Sequence, residues 1–221
     1  MTDEGKQDGG GGKRRKTGND AGSSGDVDPV AIARAGDVAA LRTLPLALLM
    51  APQYDRKMGG TGIILAHYLA RSGSADGLRA LDELGAGASL AAVTLNGLTP
   101  AHVAATKGHE GCLRVLHELG AGASLAAVDD KGWTPAHFAA QEGHEGCLRV
   151  LHELGAGASL AAATANGETP AHFAAQQGHE GCLRMLHELG AGASLAATDA
   201  RGETPAHFAA DKGHEGCLRV L

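Results

Sequence analysis

The sequence predicts an all-helical solenoid of stacked helix–turn–helix units, and three observations support that prediction. The segment Thr-Pro-Ala-His recurs four times at a constant spacing of 35 residues, and Gly-His-Glu-Gly-Cys-Leu-Arg follows each copy at the same interval. Residues 132–166 and 167–201 differ at only six positions. Only 3% of the chain is aromatic. Its core is therefore filled mainly by Leu, Ala and Val, which suits thin stacked layers.

Each unit reads as two short helices, as residues 132–166 illustrate. Thr134 is a good N-cap, and Pro135 suits the first helical position, where its missing N–H is harmless. This first helix ends at Gly143. The second helix begins two residues later, and apolar residues recur at i, i+1, i+3, i+4 and i+7 from Cys147 to form one stripe. Because two short helices cannot bury their apolar faces alone, neighbouring units must stack.

These motifs resemble a known family. Thr-Pro-Ala-His-Phe-Ala is similar to the Thr-Pro-Leu-His-x-Ala signature of ankyrin repeats, and the stretch from Asp129 to Thr134 is similar to the family's β-hairpin entry. The resemblance covers residues 28–221 and implies units joined by β-hairpin loops. It also implies a structural role for the motif's Thr and His, whose imidazole hydrogen-bonds between backbone and neighbouring units. These residues are Thr99, His102, Thr134, His137, Thr169, His172, Thr204 and His207.

The sequence departs from the family pattern in two respects. The period is two residues longer than the family's, because Gly-Ala-Gly-Ala-Ser-Leu-Ala-Ala replaces a shorter connection. The family's hairpin Asp is kept at Asp129 and Asp199 but is replaced at Thr94 and Thr164. These departures bear on the shape of the hairpin and not on the fold.

The repeat register divides the chain into segments. A first segment, rich in Gly, Asp, Lys and Ser, is predicted to be disordered. A degenerate unit keeps His67 but has lost the Thr and Pro of the motif, and the last unit stops within its second helix, which predicts a truncated chain. The segments are a disordered tail at 1–27, a capping unit with an irregular loop at 28–61, a degenerate repeat at 62–96, ankyrin repeats at 97–131, 132–166 and 167–201, and a truncated repeat at 202–221. Helix pairs are expected near 100–107 and 109–119, then 35 and 70 residues further on, with a partial pair at the end.

Charge and hydropathy exclude several classes of function. The net charge of −6 lies entirely in residues 28–221, because the five acidic and five basic residues before them cancel. An acidic body gains nothing from counterion release, so we expect no nucleic-acid binding through the repeats. No apolar run approaches the ~18 residues of a membrane span, and no signal peptide precedes the repeats. We therefore expect a soluble, monomeric, cytoplasmic protein. The cluster Lys13–Lys16 is either a nuclear import signal or a solvated charge run.

The histidines and cysteines recur with the repeats, which favours structural roles over chemistry. His109 and Cys112 have the spacing of half a zinc site, but the Cys belongs to the apolar stripe. One Cys occurs in each of the four units that carry Thr-Pro-Ala-His, and adjacent helices lie about 8–10 Å apart, too far for a disulfide, so buried free thiols are expected. Gly85-Ala-Gly87-Ala is similar to half of a dinucleotide-binding fingerprint. It follows a helix rather than a strand, however, and is therefore interpreted as a linker. We expect no catalytic residue, no metal and no cofactor.

The resemblance implies that partners bind to hairpin tips and to the exposed side of the first helices. Of the six differences between residues 132–166 and 167–201, four lie in the hairpin region and a fifth ends the first helix. A constant framework with a varying edge is expected of a partner-reading surface. The partner-binding candidates are Leu95, Leu98, Thr106, Lys107, Asp130, Lys131, Trp133, Gln141, Glu142, Ala165, Glu168, Gln176, Gln177, Arg201, Glu203, Asp211 and Lys212.

Trp133 is the strongest of these candidates, because it is the only Trp and its equivalents are Leu98, Glu168 and Glu203. It is either an anchor for a partner or a shield over Leu98 and the caps of the first helices. The predicted function is a protein–protein interaction scaffold without enzymatic activity. Two alternatives stay open: the regulatory arm of a larger enzyme whose catalytic domain lies beyond residue 221, and a nuclear regulator imported through Lys13–Lys16.

Overall fold

The computed structural model describes residues 28–51, 53–55 and 60–221. The tail predicted at residues 1–27, with Lys13–Lys16, lies outside these described residues. The remainder is a row of helix pairs, each pair followed by a loop. The first helices of the pairs are α4 (Leu65–Ser72), α6 (Pro100–Thr106), α8 (Pro135–Glu142), α10 (Pro170–Gln177) and α12 (Pro205–Lys212). The second helices are α5 (Ala75–Leu81), α7 (Glu110–Leu116), α9 (Glu145–Leu151), α11 (Glu180–Glu188) and α13 (Glu215–Leu218).

The helices form two layers that run along the stack. Each first helix packs on the next first helix, from α4 to α12, and each second helix packs on the next, from α5 to α13. Leu148 and Leu151 of α9 are fully buried between the layers, as is Cys147 of the predicted apolar stripe at 1% exposure. Alanines such as Ala139 hold the first helices close together. The all-helical solenoid predicted from the repeats is confirmed.

Three short helices precede the stack. They are α1 (Pro29–Ala35), α2 (Val38–Leu41) and α3 (Leu46–Leu49). Asp28 caps α1 by accepting a hydrogen bond from the Val30 N–H at 2.9 Å, and α1 then packs on α4. The loop expected to be irregular around residues 52–60 differs from the prediction, because β1 (Gln53–Asp55) pairs antiparallel with β2 (Gly60–Ile63). Elsewhere in the described residues, the units are joined by hairpin turns without assigned strands.

In three units the second helix passes into a wider turn before the Gly at which the sequence predicts its end, whereas α11 stays α-helical up to Glu188. In residues 132–166 the chain continues from α9 through a wide π-type turn, His152–Ala156, in which Gly155 has φ +84°. A 3₁₀ segment, Gly157–Ala161, follows. It buries Leu160 completely, and its Ser159 hydroxyl donates to the Ala156 carbonyl at 2.7 Å. The Gly-Ala-Gly-Ala-Ser-Leu segment is therefore an ordered connection that adds core to the stack.

The Gly-His-Glu-Gly motif holds adjacent units together. Gly143 ends α8 with φ +80°, and the ring of His179 from the next unit lies against it, where a Cβ would not fit. The Nε2 of His179 lies 3.0 Å from the Gln141 carbonyl oxygen. The same contact recurs through His109 to Arg71, His144 to Thr106 and His214 to Gln176. This second column of histidines therefore fixes the end of each first helix to the unit that follows.

Candidate interaction surface

The Thr-Pro-x-His motif links each unit to the hairpin of the next. In α8, the Nδ1 of His137 accepts a hydrogen bond from the Thr134 N–H at 3.0 Å. The Nε2 must then carry the proton of a neutral imidazole, and it lies 3.3 Å from the Glu168 carbonyl oxygen in the next unit. His137 is fully buried. One imidazole therefore caps its own helix and fixes the neighbouring hairpin.

The same arrangement recurs at the equivalent histidines. The Nε2 atoms of His67, His102 and His172 lie 3.0, 3.0 and 3.1 Å from backbone carbonyl oxygens one unit further on. The accepting residues are Leu98, Trp133 and Glu203. These acceptors, together with Glu168, occupy one variable position of the repeat. Because the histidine contacts only the backbone there, the side chain can change while the hairpin stays fixed.

Burial keeps these imidazoles neutral. Desolvation lowers the pKa of both His67 and His137 to about 4, against the opposing effect of their backbone hydrogen bonds. Desolvation also lowers the pKa of His102 and His172. Protonation of Nδ1 would turn the acceptor for the Thr134 N–H into a donor, and that hydrogen bond would be lost. The geometry and the titration therefore require the same neutral tautomer.

Asp and Thr perform the same task inside the hairpin turns. Asp129 accepts hydrogen bonds from the N–H groups of Lys131 and Trp133 at 2.9 and 2.8 Å. Thr164 accepts from the equivalent N–H groups, of Asn166 and Glu168, both at 3.2 Å. A hydroxyl oxygen and a carboxylate oxygen therefore satisfy the same two donors, so the replacement of Asp by Thr leaves the turn intact.

Backbone hydrogen bonds also connect neighbouring hairpins. The Ala200 N–H donates to the Asn166 carbonyl at 2.8 Å, and the Ala165 N–H to the Lys131 carbonyl at 3.4 Å. Gly132 has φ +80°, and a Cβ there would lie 3.2 Å from the Ala165 nitrogen. The hairpins are thus packed tightly against one another.

The predicted partner-binding residues lie on what we call the hairpin face, formed by the hairpin turns and the outward sides of the first helices. None of them is buried. A cleft of about 290 Å³ contains five of them together with His207 and Phe208, and a second cleft of about 250 Å³ contains three together with Asp129 and Phe138. The first-cleft residues are Gln176, Arg201, Glu203, Asp211 and Lys212, and the second-cleft residues are Lys131, Trp133 and Gln141. Each cleft joins a hairpin to a first helix, so the two elements form one surface.

Other predicted residues lie outside these two clefts. Leu95 is 67% exposed in the hairpin that precedes α6. Thr106 is half-buried and turns its hydroxyl back to the His102 carbonyl at 2.7 Å, whereas Lys107 is exposed. Glu168 lines a separate opening of about 250 Å³ between adjacent hairpin tips. The hairpin face is thus a series of local depressions rather than one deep pocket.

Trp133 packs against rings on two first helices. Its ring centroid lies 4.2 Å from that of Phe173 in the next unit and 5.1 Å from that of Phe138 in its own. Phe173 is only 6% exposed, while Trp133 itself is half-buried. The shielding interpretation of Trp133 is therefore supported in a modified form: it covers the phenylalanine of the following unit. The exposed part of the indole still lines the second cleft.

Carboxylates surround Arg201 at the other end of the hairpin face. Its Nη2 lies 2.5 Å from Glu203 Oε2, and its Nε lies 3.2 Å from Asp199 Oδ2. The hydrogen bond to Asp199 raises the pKa of Arg201, and the charges of Glu203 and Glu168 act in the same direction. The guanidinium also lies 5.7 Å from the centroid of the Phe208 ring. Three carboxylates thus act on a single cation.

A comparison with family models matches this arrangement. The model described as ankyrin repeats, in three copies, matches residues 66–162 and 154–221. The chain belongs to the ankyrin-repeat family. A search of curated proteins found no match. Ankyrin repeats are generally protein-interaction modules, and the family is typically non-enzymatic.

Two other kinds of site are absent from the described part of this ankyrin stack. No helix there has the length and apolarity required to cross a membrane. Within the same residues, no group of three or more His, Cys, Asp and Glu side chains is arranged to hold a metal ion. His109 and Cys112, the pair with half the spacing of a zinc site, are explained otherwise. His109 contacts the Arg71 carbonyl at 3.1 Å, and Cys112 is a buried free thiol.

Sequence reasoning missed the phenylalanines of the ankyrin first helices. Phe138 and Phe208 line the two clefts. The residues that the sequence predicted there lie only in the hairpins and towards the ends of the first helices. The signal was present, because Phe138 precedes Gln141 by three positions and therefore shares its helix face. By contrast, the closure of Phe173 by Trp133 had no signal in the sequence, because it depends on how the units stack.

The second helices of the ankyrin stack present a different surface. Its charges are paired between successive units: Arg79 lies 3.0 Å from Glu118, and Arg114 lies 2.6 Å from Glu153. Both side chains of each pair are solvent-exposed, so each pair contributes little stability. The side of the stack formed by the second helices is therefore polar, and it is acidic overall because its carboxylates outnumber its arginines.

Proposed function

We propose that this ankyrin stack is a scaffold that binds another protein through the hairpin face. The observation that supports the proposal most directly is where two nearly identical units differ. Residues 133, 142, 163 and 166 differ from their equivalents in the next unit, and all four are exposed or half-buried. The chain therefore varies mainly those side chains that a partner could touch.

The remaining two differences have structural explanations. Thr164 and Asp199 are buried turn residues that accept the same backbone hydrogen bonds, and Val150 and Met185 are buried core residues. Neither pair changes the local backbone, although Asp199 adds a carboxylate beside Arg201. The exposed positions differ more in character, since they exchange Trp for Glu and Asn for Arg.

The backbone contacts supply a physical basis for such variation. The residue at the position of Trp133 or Glu168 is fixed through its carbonyl by a buried histidine. Its side chain has no part in that bond. A rigid backbone that carries interchangeable side chains lowers the entropic cost of ordering a binding surface.

Site-specific photo-crosslinking tests the proposal. A photoreactive phenylalanine analogue replaces Lys131 or Gln177 on the hairpin face, and matched variants carry it at Arg149 or His152 on the second helices. All four residues are exposed, so none of the replacements disturbs the core. Each variant is incubated with a cell extract and irradiated, and the adducts are identified by mass spectrometry.

The two sets of positions should give different results. We expect the same partner protein to be captured from Lys131 and Gln177 and to be absent from the second-helix variants. Capture confined to Arg149 and His152 would place binding on the opposite side and refute the proposed surface. Equal capture from all four positions would indicate non-specific adhesion and would refute it as well.

A further inference from the structure

We propose that the hairpin face selects an extended partner segment that carries an apolar or aromatic residue and, about six residues away, a basic one. This inference rests on the proposed function and adds the chemistry of the partner. It follows from the different character of the two clefts.

The cleft around Trp133 is suited to an apolar side chain. The rings of Trp133 and Phe138 lie 5.1 Å apart between centroids and form its wall. The carboxylate of Asp129 is occupied by the N–H groups of its own turn. Because that carboxylate is already satisfied, the cleft offers a partner its aromatic surface and the amide of Gln141, with the ammonium group of Lys131 at its edge. This ammonium group disfavours a basic side chain here, so an apolar one fits best.

The other end of the hairpin face carries excess negative charge. Four carboxylates and two cations lie there, which leaves a net charge of −2. Arg201 is already bonded to Asp199 and Glu203, and Lys212 lies 3.2 Å from Asp211. Because both cations are neutralised locally, an acidic partner would find no available positive charge at this end of the hairpin face. The field there favours Lys or Arg on the partner.

The separation of the two features sets the spacing on the partner. The Trp133 cleft belongs to the unit at residues 132–166, and the carboxylates around Arg201 lie where the next two units meet. Packed helices lie about 10 Å apart, so the two features are about 20 Å apart. An extended chain advances about 3.3 Å per residue, which gives a spacing of about six residues.

Selection from a random-peptide library displayed on phage tests this inference. The peptides enriched on the wild-type protein are sequenced, and one is synthesised and titrated by fluorescence polarisation. It is titrated against the wild type and against the double variant Glu168→Gln/Glu203→Gln. Glu118→Gln/Glu153→Gln is the control, because it removes the same charge from the second helices. Gln141→Arg, which fills the Trp133 cleft, reports whether the peptide occupies the hairpin face.

We expect the enriched peptides to share an apolar residue and a basic residue at the predicted spacing. We also expect about fivefold weaker binding to Glu168→Gln/Glu203→Gln, since each exposed ion pair contributes little, and no loss with the control. Peptides that are lost with Gln141→Arg but lack a basic residue, or that bind both double variants equally, would overturn this inference and leave the proposed function standing. No enrichment, or binding that is indifferent to Gln141→Arg, would refute the proposed function itself.

Discussion

Mild acid should destabilise this protein through its buried motif histidines. Below their ordinary pKa of 6.5, histidines are protonated in the unfolded chain, whereas His67 and His137 remain neutral in the folded stack down to about pH 4. The unfolded state therefore binds more protons in this interval, and the free energy of unfolding must fall as the pH falls. Stability is complete above about pH 6.5 and decreases towards pH 4.

The magnitude follows from the two lowered pKa values. Near pH 5.2 each of these histidines takes up about 0.9 proton on unfolding, which corresponds to about 1.2 kcal/mol per pH unit. His67 and His137 together give about 2.4 kcal/mol per pH unit. His102 and His172 add to this in the same direction, because desolvation lowers their pKa values as well.

Urea unfolding followed by circular dichroism at a series of pH values measures the effect. His137→Asn should reduce the pH slope by about one histidine's share, about 1.2 kcal/mol per pH unit, besides lowering stability at neutral pH. His207→Asn is the matched control. His207 has the same contact with the Thr204 N–H, at 3.1 Å, but it is exposed. Its replacement removes that contact without removing a buried imidazole, so it should not reproduce the loss of slope in His137→Asn.

A free energy of unfolding that stays constant between about pH 7 and pH 5 would refute this reasoning. So would an equal loss of slope in His137→Asn and His207→Asn, because burial distinguishes the two positions. Stability that increased on acidification would reverse the sign and show that the imidazoles are charged in the folded state.

Three further outcomes are expected. Trp133→Ala should cost about 2 kcal/mol of stability, because it uncovers Phe173 and leaves a gap between two rings. Glu168→Ala, at the equivalent position of the next unit, should cost far less. Equal melting temperatures of the two variants would contradict the packing. Gly132→Ala should destabilise more than Gly202→Ala in urea titrations, since both have φ +80° but only the former meets the next hairpin. Burial raises the pKa of Cys147 to about 12, so its alkylation by iodoacetamide, followed by mass spectrometry, should be slow until the protein unfolds.

Much of the fold could be read from the sequence because it depends on short-range patterns. Thr134 and Pro135 mark a helix start whatever lies nearby, and Gly143 marks its end. The apolar stripe from Cys147 specifies which side of the second helix is buried. Repetition of these signals every 35 residues requires stacking. The side of the stack that carries exposed, varying residues also follows from comparing the units with each other.

The contacts between units were decided only by the tertiary structure. Nothing in the local pattern indicates that Trp133 covers Phe173, that the second histidine of each unit contacts the preceding unit, or that three carboxylates act on Arg201. Nor does it show that Thr164 reproduces the hydrogen bonds of Asp199. The contacts of Trp133 and of the second histidines join residues of neighbouring units that are about 40 positions apart. Those of Thr164, and of Arg201 with Asp199 and Glu203, lie within one turn and depend on its exact conformation. Local propensity fixes the helices, but the packing of one layer on the next determines which side chains meet.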